Sequence, residues 1–162
     1  MFMRSERLFL RPTWPEDRAE VETALGAQTY RLAALPATPR HPRFLITLPD
    51  HSGARAVGVI ALWPCADACQ IGIWVAPHCR GRGFATEAMR AVLPLARTLG
   101  HCRLIATPPT DCPASRAVLA RSGFVSTGQL RLRDGVASET YALHLCPQVS
   151  GPADRDALMR AA

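Results

Sequence analysis

The residues with the most chemical content lie in one stretch, Ile73 to Thr86, which reads IWVAPHCRGRGFAT. A strand ends there at Ala76-Pro77, and a glycine-rich turn opens directly into a helix. Such a turn aims several unpaired backbone N–H groups at one point, and the helix dipole adds about half a positive charge. Gly81 and Gly83 lack a Cβ that would hold the backbone away from a ligand, while Arg80 and Arg82 supply charge-assisted donors. A pyrophosphate suits this arrangement better than a single carboxylate. Two glycines alone would equally describe an ordinary left-handed turn with solvated arginines. Spacing excludes two common phosphate motifs. A Walker loop needs Gly-Lys-Ser/Thr, and the chain has no lysine; a dinucleotide fingerprint needs three glycines and a ribose-binding acid about 20 residues on.

The elements that must position this turn follow from period and punctuation. In RLFLR, Leu8 and Leu10 face one way and Arg7, Phe9 and Arg11 the other, as in a half-buried strand. Thr13, Pro15 and Glu16 have the spacing of a capping box, which predicts a helix from Thr13 to about Leu25. A second short helical stretch is expected from Gln28 to Leu35, before Pro36, Pro39 and Pro42 break it. Phe44, Ile46 and Leu48 restart strand alternation. A turn at Asp50-His51-Ser52-Gly53 leads into AVGVIALW, an apolar run suited to a central strand. A further strand, Gln70 to Val75, follows a loop from Pro64 to Ala68. From Gly81 the period becomes helical, with Phe84, Ala88, Ala91, Val92, Leu95 and Leu99 on one stripe and Gly100 as the C-terminal cap. Pro94 should bend this helix, because the Arg90 carbonyl loses its donor. Arg103 to Thr107 is a short strand, so strand, helix and strand imply a right-handed crossover between parallel neighbours. Pro113 and Gly123 bracket another helix, and Asp134-Gly135 marks a hairpin.

The chain has 162 residues, 19 Lys+Arg against 13 Asp+Glu, and 48% hydrophobic residues. These values describe one compact domain, expected over residues 1–146, with a tail over 147–162 that holds at most one weak helix. Every basic side chain other than histidine is an arginine, and asparagine is also absent, a pairing that points to codon bias rather than chemistry. Apolar content is too high for a disordered chain, and no run reaches the roughly 18 apolar residues of a membrane span. The opening MFMRSERLFLRP lacks the apolar core of a secretory signal, so a cytoplasmic location and six reduced cysteines are expected. Cys65 and Cys69 form the closest pair, but no second cluster with His at ligand spacing completes a zinc site, and no metal is expected. The formal charge of +6 suits a polyanionic partner. The arginines are scattered without an aromatic-rich motif, however, so nucleic acid is not the expected one.

Arg80-Gly81-Arg82-Gly83-Phe84-Ala85 resembles the acetyl-CoA signature of the GCN5-related N-acetyltransferases (GNATs), Arg/Gln-x-x-Gly-x-Gly/Ala. The resemblance extends over roughly Arg4 to Leu145 and points to the branch of ribosomal-protein N-terminal acetyltransferases. SERLFLRPTWPEDRAEV is similar to that branch's opening strand and helix, QIGIWVAPHCRGRGFATEAMRAVL to its cofactor core, and PASRAVLARSGFVSTG to its closing helix and strand. The resemblance implies an α/β fold: a mixed, mostly antiparallel sheet of about six or seven strands flanked by about four helices, whose parallel fourth and fifth strands splay apart. It implies that backbone groups of Ile73, Trp74 and Val75 pair with pantetheine amides, and that Arg80, Gly81, Arg82, Gly83, Phe84, Ala85 and Thr86 hold the pyrophosphate. It also implies direct transfer of an acetyl group to an amine. Ser115 matches the serine of the family's Asn-x-x-Ser motif and is the candidate general acid or thiolate donor.

Two departures bear on catalysis. The Asn of Asn-x-x-Ser is Cys112, which codon bias explains as well as a catalytic thiol does, and Asp111 is expected to cap the helix in its place. Gln70 stands where relatives commonly carry a glutamate, and a glutamine cannot take a proton. Glu87 reads as an ion-pairing residue, and His78 and His101 lack an orienting carboxylate. Glu139 and Tyr141 are placed to line the acceptor side, and Trp14, Trp63 and Trp74 read as core or pocket walls. The expected function is an acetyl-CoA-dependent N-acetyltransferase, monomeric or homodimeric, acting on a small-molecule or peptide amine, with Ser115 and Gln70 at the reacting centre. The alternative is a catalytically silent acyl-CoA-binding module of the same fold.

Overall fold

The computed structural model describes residues 2–25, 36–51, 53–66, 68–133 and 135–146. The expected helix at 28–35 and the tail at 147–162 lie outside the described residues. In chain order the elements are β1 (Met3–Arg4), β2 (Phe9–Pro12), α1 (Asp17–Leu25), β3 (Arg43–Asp50), β4 (Gly53–Cys65), β5 (Ala68–Val75), a 3-10 turn (Pro77–Cys79), α2 (Phe84–Thr98), β6 (Arg103–Ala106), α3 (Pro113–Arg121), β7 (Val125–Arg133) and β8 (Val136–His144). The strands form one eight-stranded sheet in the order β1-β2-β3-β4-β5-β6-β8-β7. All neighbours are antiparallel except β5 and β6, which run parallel. The expected mixed sheet is therefore present, with an added strand, and the crossover through α2 joins the parallel pair.

Burial explains the sequence patterns. Ala56 to Leu62 of β4 are all buried, as a continuous apolar run at the centre of a sheet covered on both faces requires. Helix α1 packs against β4, and α2 against both β5 and α3. The buried stripe of α2 is Phe84, Ala88, Met89, Val92 and Ala96. It is rotated from the expected one, so Ala91, Leu95 and Leu99 are only half-buried. The helix runs on through Pro94, on its exposed side, where Arg90 is also exposed. Gly100 and Gly123 close α2 and α3 at φ +83° and +87°, and Gly135 follows β7 at φ +76°, as a tight hairpin needs.

Other expectations need correction: the loop expected from Pro64 to Ala68 is shorter, because β4 runs to Cys65 and β5 begins at Ala68. Helix α1 begins at Asp17 rather than Thr13. Thr13 Oγ1 accepts instead from Arg43 Nε at 2.8 Å, and the helix start is organised by Asp17, whose carboxylate accepts from the Trp14 N–H at 2.7 Å. Trp14 is 48% exposed, with the Arg11 guanidinium 4.3 Å over its ring, and so is not core. Finally, Cys102 and Cys146 form a disulfide, leaving Cys65, Cys69, Cys79 and Cys112 as free thiols. The two cysteines flank an antiparallel pair in which Arg103 faces His144. The Leu145 N–H donates to the Cys102 carbonyl at 2.9 Å, and the Cα atoms stand 4.8 Å apart, within the range a disulfide spans.

Arg11 and Asp17 form a bidentate pair at 2.7 and 2.6 Å, with side chains only 13% and 8% exposed. The Arg11 guanidinium holds the Asp17 carboxyl below its ordinary range; burial pulls the other way, and the Trp14 N–H reinforces Arg11. Asp17→Asn is expected to cost about 2 kcal/mol near pH 7 in urea denaturation. A depressed carboxyl pKa stabilises fully above the unfolded value of about 3.9, and that contribution is lost as pH falls through the lower folded value. The gap between wild type and variant should therefore close in acid. A gap as large at about pH 2 as near pH 7 would show that this ion pair is not its source.

Candidate active site

Strands β5 and β6 are paired at only two positions, Cys69 with Leu104 and Gln70 with Ile105. Beyond Gln70 they part. Residues Ile71 to Val75 remain paired to β4 on their other side, so among the described residues one edge of β5 is left without a strand partner along five residues. A parallel pair sends its two C-terminal ends in one direction, and each end here leads into a helix: β5 into α2 and β6 into α3. Two helix N-termini therefore flank the mouth of the cleft, the position at which open parallel strands bind ligands.

The side chain of Gln70 spans the point of parting. Its Nε2 donates to Thr107 Oγ1 at 2.8 Å, which fastens β5 to the residue just past β6. The chain beyond Thr107 then follows β8: Glu139 N donates to the Pro108 carbonyl at 3.1 Å and Thr110 N to that of Ala137 at 2.9 Å. Gly58 completes the wall from below. A Cβ at that position would collide with the Trp74 carbonyl oxygen, so only glycine lets the end of β5 settle onto β4. Sequence reasoning missed both Thr107 and Gly58. A glycine inside an apolar strand run was the available signal for the second.

At the β5 side of the mouth, Gly81 and Gly83 take left-handed φ values of +76° and +80°. Gly83 is the N-cap of α2 and provides no side-chain cap. The first-turn N–H groups of Phe84, Ala85 and Thr86 accordingly have no acceptor within the helix. Arg82 is exposed. Arg80 is partly committed elsewhere, since its Nε donates to the Val75 carbonyl at 3.0 Å and its guanidinium lies 5.5 Å over the Trp74 ring. It braces the turn against the end of β5. A groove of about 600 Å³ beside Gly83 and Thr86 is lined by Arg4, Arg7, Arg90 and Arg121 and also by Glu6 and Glu87; no local motif distinguishes these arginines.

Glu87 closes the helix start. It accepts from the Ser5 hydroxyl at 2.6 Å, from the Arg7 N–H at 2.8 Å and from Arg7 Nε at 2.8 Å. Burial alone would raise its carboxyl pKa, but the Ser5 and Arg7 donors outweigh it and hold the group below its ordinary range. Glu87 is thus an inter-element clamp, as its sequence position suggested, and a poor base.

On the β6 side, Cys112 is the N-cap of α3 and makes no capping bond. Asp111 is exposed, so the expected cap by its side chain is not formed. Cys112 Sγ lies 3.0 Å from Ser115 Oγ, which makes thiol and hydroxyl one hydrogen-bonded pair in the first turn. Arg116 Nε, beside them, is buried without a hydrogen-bond partner among the described residues. On β8, Glu139 accepts from Ser126 Oγ and from Tyr141 Oη, the latter at 3.1 Å. Desolvation and the adjoining Glu139 push the Tyr141 phenol up, against a smaller opposing effect of Arg116, so the phenol is a donor at neutral pH. Burial pushes the Cys69 thiol up to about 11, which removes it as a nucleophile. His78 is exposed, and His101 is buried.

The chain matches the family model for the acetyltransferase (GNAT) domain over residues 1–125. It belongs to the GNAT superfamily and is a GNAT-family acetyltransferase. Among solved structures it is similar to an acetyltransferase from Agrobacterium tumefaciens str. C58, with 22% identity, a TM-score of 0.70, and coverage of 89% of this chain and 94% of that one. A Vibrio cholerae protein whose proposed identity is a ribosomal-protein-serine acetyltransferase has 17% identity and a TM-score of 0.67, over 89% and 97% of the two chains. The microcin C7 self-immunity acetyltransferase MccE, in complex with acetyl-CoA and AMP, has 15% identity and a TM-score of 0.65, over 86% and 93%. At these identities the structures establish the fold. No curated protein matches the chain. Among the described residues, no helix is long and apolar enough to cross a membrane.

Gly58→Ala is expected to force the end of β5 away from β4, at a cost of about 1–3 kcal/mol in chemical denaturation. An unchanged unfolding midpoint would show that the two strands have room for a methyl group at Trp74.

Proposed function

We propose that the protein is an acetyl-CoA-dependent N-acetyltransferase that acts on a primary α-amine, such as a peptide N-terminus. The observation that carries the reading is the open edge of β5 leading into the uncapped start of α2. An extended pantetheine arm offers amides that Ile73, Trp74 and Val75 can pair with as a neighbouring strand would. A pyrophosphate at its end suits the N–H groups of Gly83 to Thr86, with Arg82 and the arginine groove adding charge. In the transfer, the neutral amine nitrogen bonds to the acetyl carbon and the C–S bond breaks. The amine gives up a proton to solvent water, and the CoA thiolate takes one from the Ser115 hydroxyl, which its contact with Cys112 orients. The proton is returned to Ser115 from solvent.

The acceptor class follows from the bases within reach. Gln70 cannot take a proton, Glu87 is clamped by Ser5 and Arg7, and Glu139 already accepts two hydrogen bonds. Presenting a neutral amine at pH 7 costs about 4.6 kcal/mol for a lysine-like pKa near 10.4 and about 1.4 kcal/mol for an α-amine near 8. A site without a strong base therefore favours the second. The resemblance to ribosomal-protein N-terminal acetyltransferases points the same way. The engaged Ser115 hydroxyl and the neutral Gln70 also favour a second reading, an acyl-CoA-binding module without turnover.

Calorimetry should show acetyl-CoA binding to the wild type and at least tenfold weaker binding, about 1.4 kcal/mol, to Gly83→Val. A Cβ at position 83 approaches only Arg7 Nη2, at 3.5 Å, so the variant should fold despite its backbone strain. Unchanged affinity in the folded variant would remove the assigned site, and binding without transfer would select the second reading.

Peptides with free N-termini should outcompete matched peptides whose only amine is a lysine, read as an acetyl mass increment. Gln70→Glu should raise turnover of high-pKa amines. A wild-type preference for lysine side chains or polyamines near neutral pH would overturn the acceptor assignment and direct attention to Glu139.

A further inference from the structure

Away from the mouth of the cleft, His41, Cys69 and His101 converge from three separate segments: the turn before β3, the paired end of β5, and the residue after the Gly100 cap of α2. One nitrogen of each ring and Cys69 Sγ all lie within 4.8 Å of one another. Cys69 and His101 are 2% and 6% exposed, and His41 is half-buried. The two rings stand 5.2 Å apart between centroids, tilted by 42°.

The hydrogen bonds of the rings point to a ligand between them. His101 Nε2 lies 2.7 Å from the Arg40 carbonyl oxygen. A carbonyl can only accept, so Nε2 carries the hydrogen and Nδ1 keeps its lone pair. His41 Nδ1 lies 3.4 Å from Thr38 Oγ1, which leaves Nε2 as its second donor atom. An imidazole anchored through one nitrogen to a protein oxygen, with the other nitrogen presented, is the arrangement that orients metal-bound histidines. The buried Cys69 thiol, which donates to the Gln70 carbonyl at 3.6 Å and would give up that bond on losing its proton, completes a borderline-soft donor set, which selects zinc-like ions over magnesium or calcium.

We infer that His41, Cys69 and His101 bind a divalent transition-metal ion of zinc's class. Tetrahedral coordination with bonds of about 2.0–2.3 Å would place the donor atoms roughly 3.3–3.7 Å apart, so the cluster closes by on the order of 1 Å as the ion enters. His41 is the member best able to move, because Thr38 and His41 exchange two backbone hydrogen bonds of 3.1 Å and shift as one turn. Entry of the ion forms a metal–sulfur bond and releases the Cys69 thiol proton to solvent. Cys65 does not supply the fourth ligand: it faces Ala68 in the hairpin while Pro64 faces Cys69, which puts it on the other face of the sheet. Solvent takes that position. Cys69 is one of the two β5 residues paired with β6, so the ion would brace the closed end of the cleft.

The test is a titration of chelator-treated protein with Co²⁺ alone, followed by Zn²⁺. One equivalent of cobalt should bind, with a thiolate-to-cobalt charge-transfer band and tetrahedral visible bands that zinc abolishes. Zinc should also raise the melting temperature. Cys69→Ser should lose the charge-transfer band and Cys65→Ser should keep it. His41→Ala, at a half-buried position outside the strands and helices, should bind at least tenfold more weakly and serves if Cys69→Ser does not fold. Substoichiometric cobalt, an octahedral spectrum without the band, or a band that survives in Cys69→Ser or at full affinity in His41→Ala would each overturn the assignment.

Discussion

The parting of β5 and β6 after two paired positions is the constraint on which the rest of the site depends. Backbone N–H and C=O groups along Ile71 to Val75 would be satisfied by a neighbouring strand in an ordinary parallel sheet. Here β6 is last paired with β5 at Ile105, while on its other edge it stays in register with β8 from Arg103 through Pro109 and on to Thr110, where Pro108 and Ala137 accept from Glu139 and Thr110. Each strand thus keeps its outer partner, β5 on β4 and β6 on β8, and the edges that face one another are left unpaired. The edge left unpaired on β5 is the one that faces the start of α2.

The parting needs restraint at the closed end, and the fold supplies it with side chains. The Gln70 amide reaches Thr107 across the point of parting. A glutamate there would need a proton, or a rotated Thr107 hydroxyl, to make an equivalent contact. Gln70 is therefore a clasp as well as a departure from the residue its relatives commonly carry. Gly58 acts on the opposite edge of β5 by letting the Trp74 carbonyl approach β4. Arg80 pulls from the turn onto the Val75 carbonyl, so an arginine next to a helix start also holds the strand that leads to it.

Charge at the mouth is arranged by the same economy of contacts. The uncapped N-terminus of α2 and the arginines around it are positive, and Glu87 in the first turn would offset them if it faced a ligand. It is instead enclosed by Ser5 and Arg7, with Arg7 also 4.8 Å over the Phe84 ring. The β1–β2 connection is thereby fastened to the first turn of α2, and the acidic charge is neutralised where it stands. On the other wall, the Cys112–Ser115 pair replaces the capping bond that an asparagine would make.

Much of this was legible in the sequence because it depends on local rules. Alternation marked β2 and β3, an unbroken apolar run marked the central β4, and the glycines of the RGRG turn announced left-handed backbone ahead of a helix. The order of strand, helix and strand required a parallel pair, and Glu87 read as an ion-pairing residue. What the sequence could not determine was which distant segments meet. The disulfide between Cys102 and Cys146 follows from the register of β6 on β8, not from the spacing of cysteines. The gathering of His41, Cys69 and His101 follows from a turn, a strand end and a helix cap that share no motif. Asp17 took over the helix start from Thr13 because Arg11, on the neighbouring strand, was in reach. Periodicity and turn chemistry act within a few residues and are written along the chain, whereas register and packing relate residues only after the sheet has formed, so those contacts belonged to the tertiary structure alone.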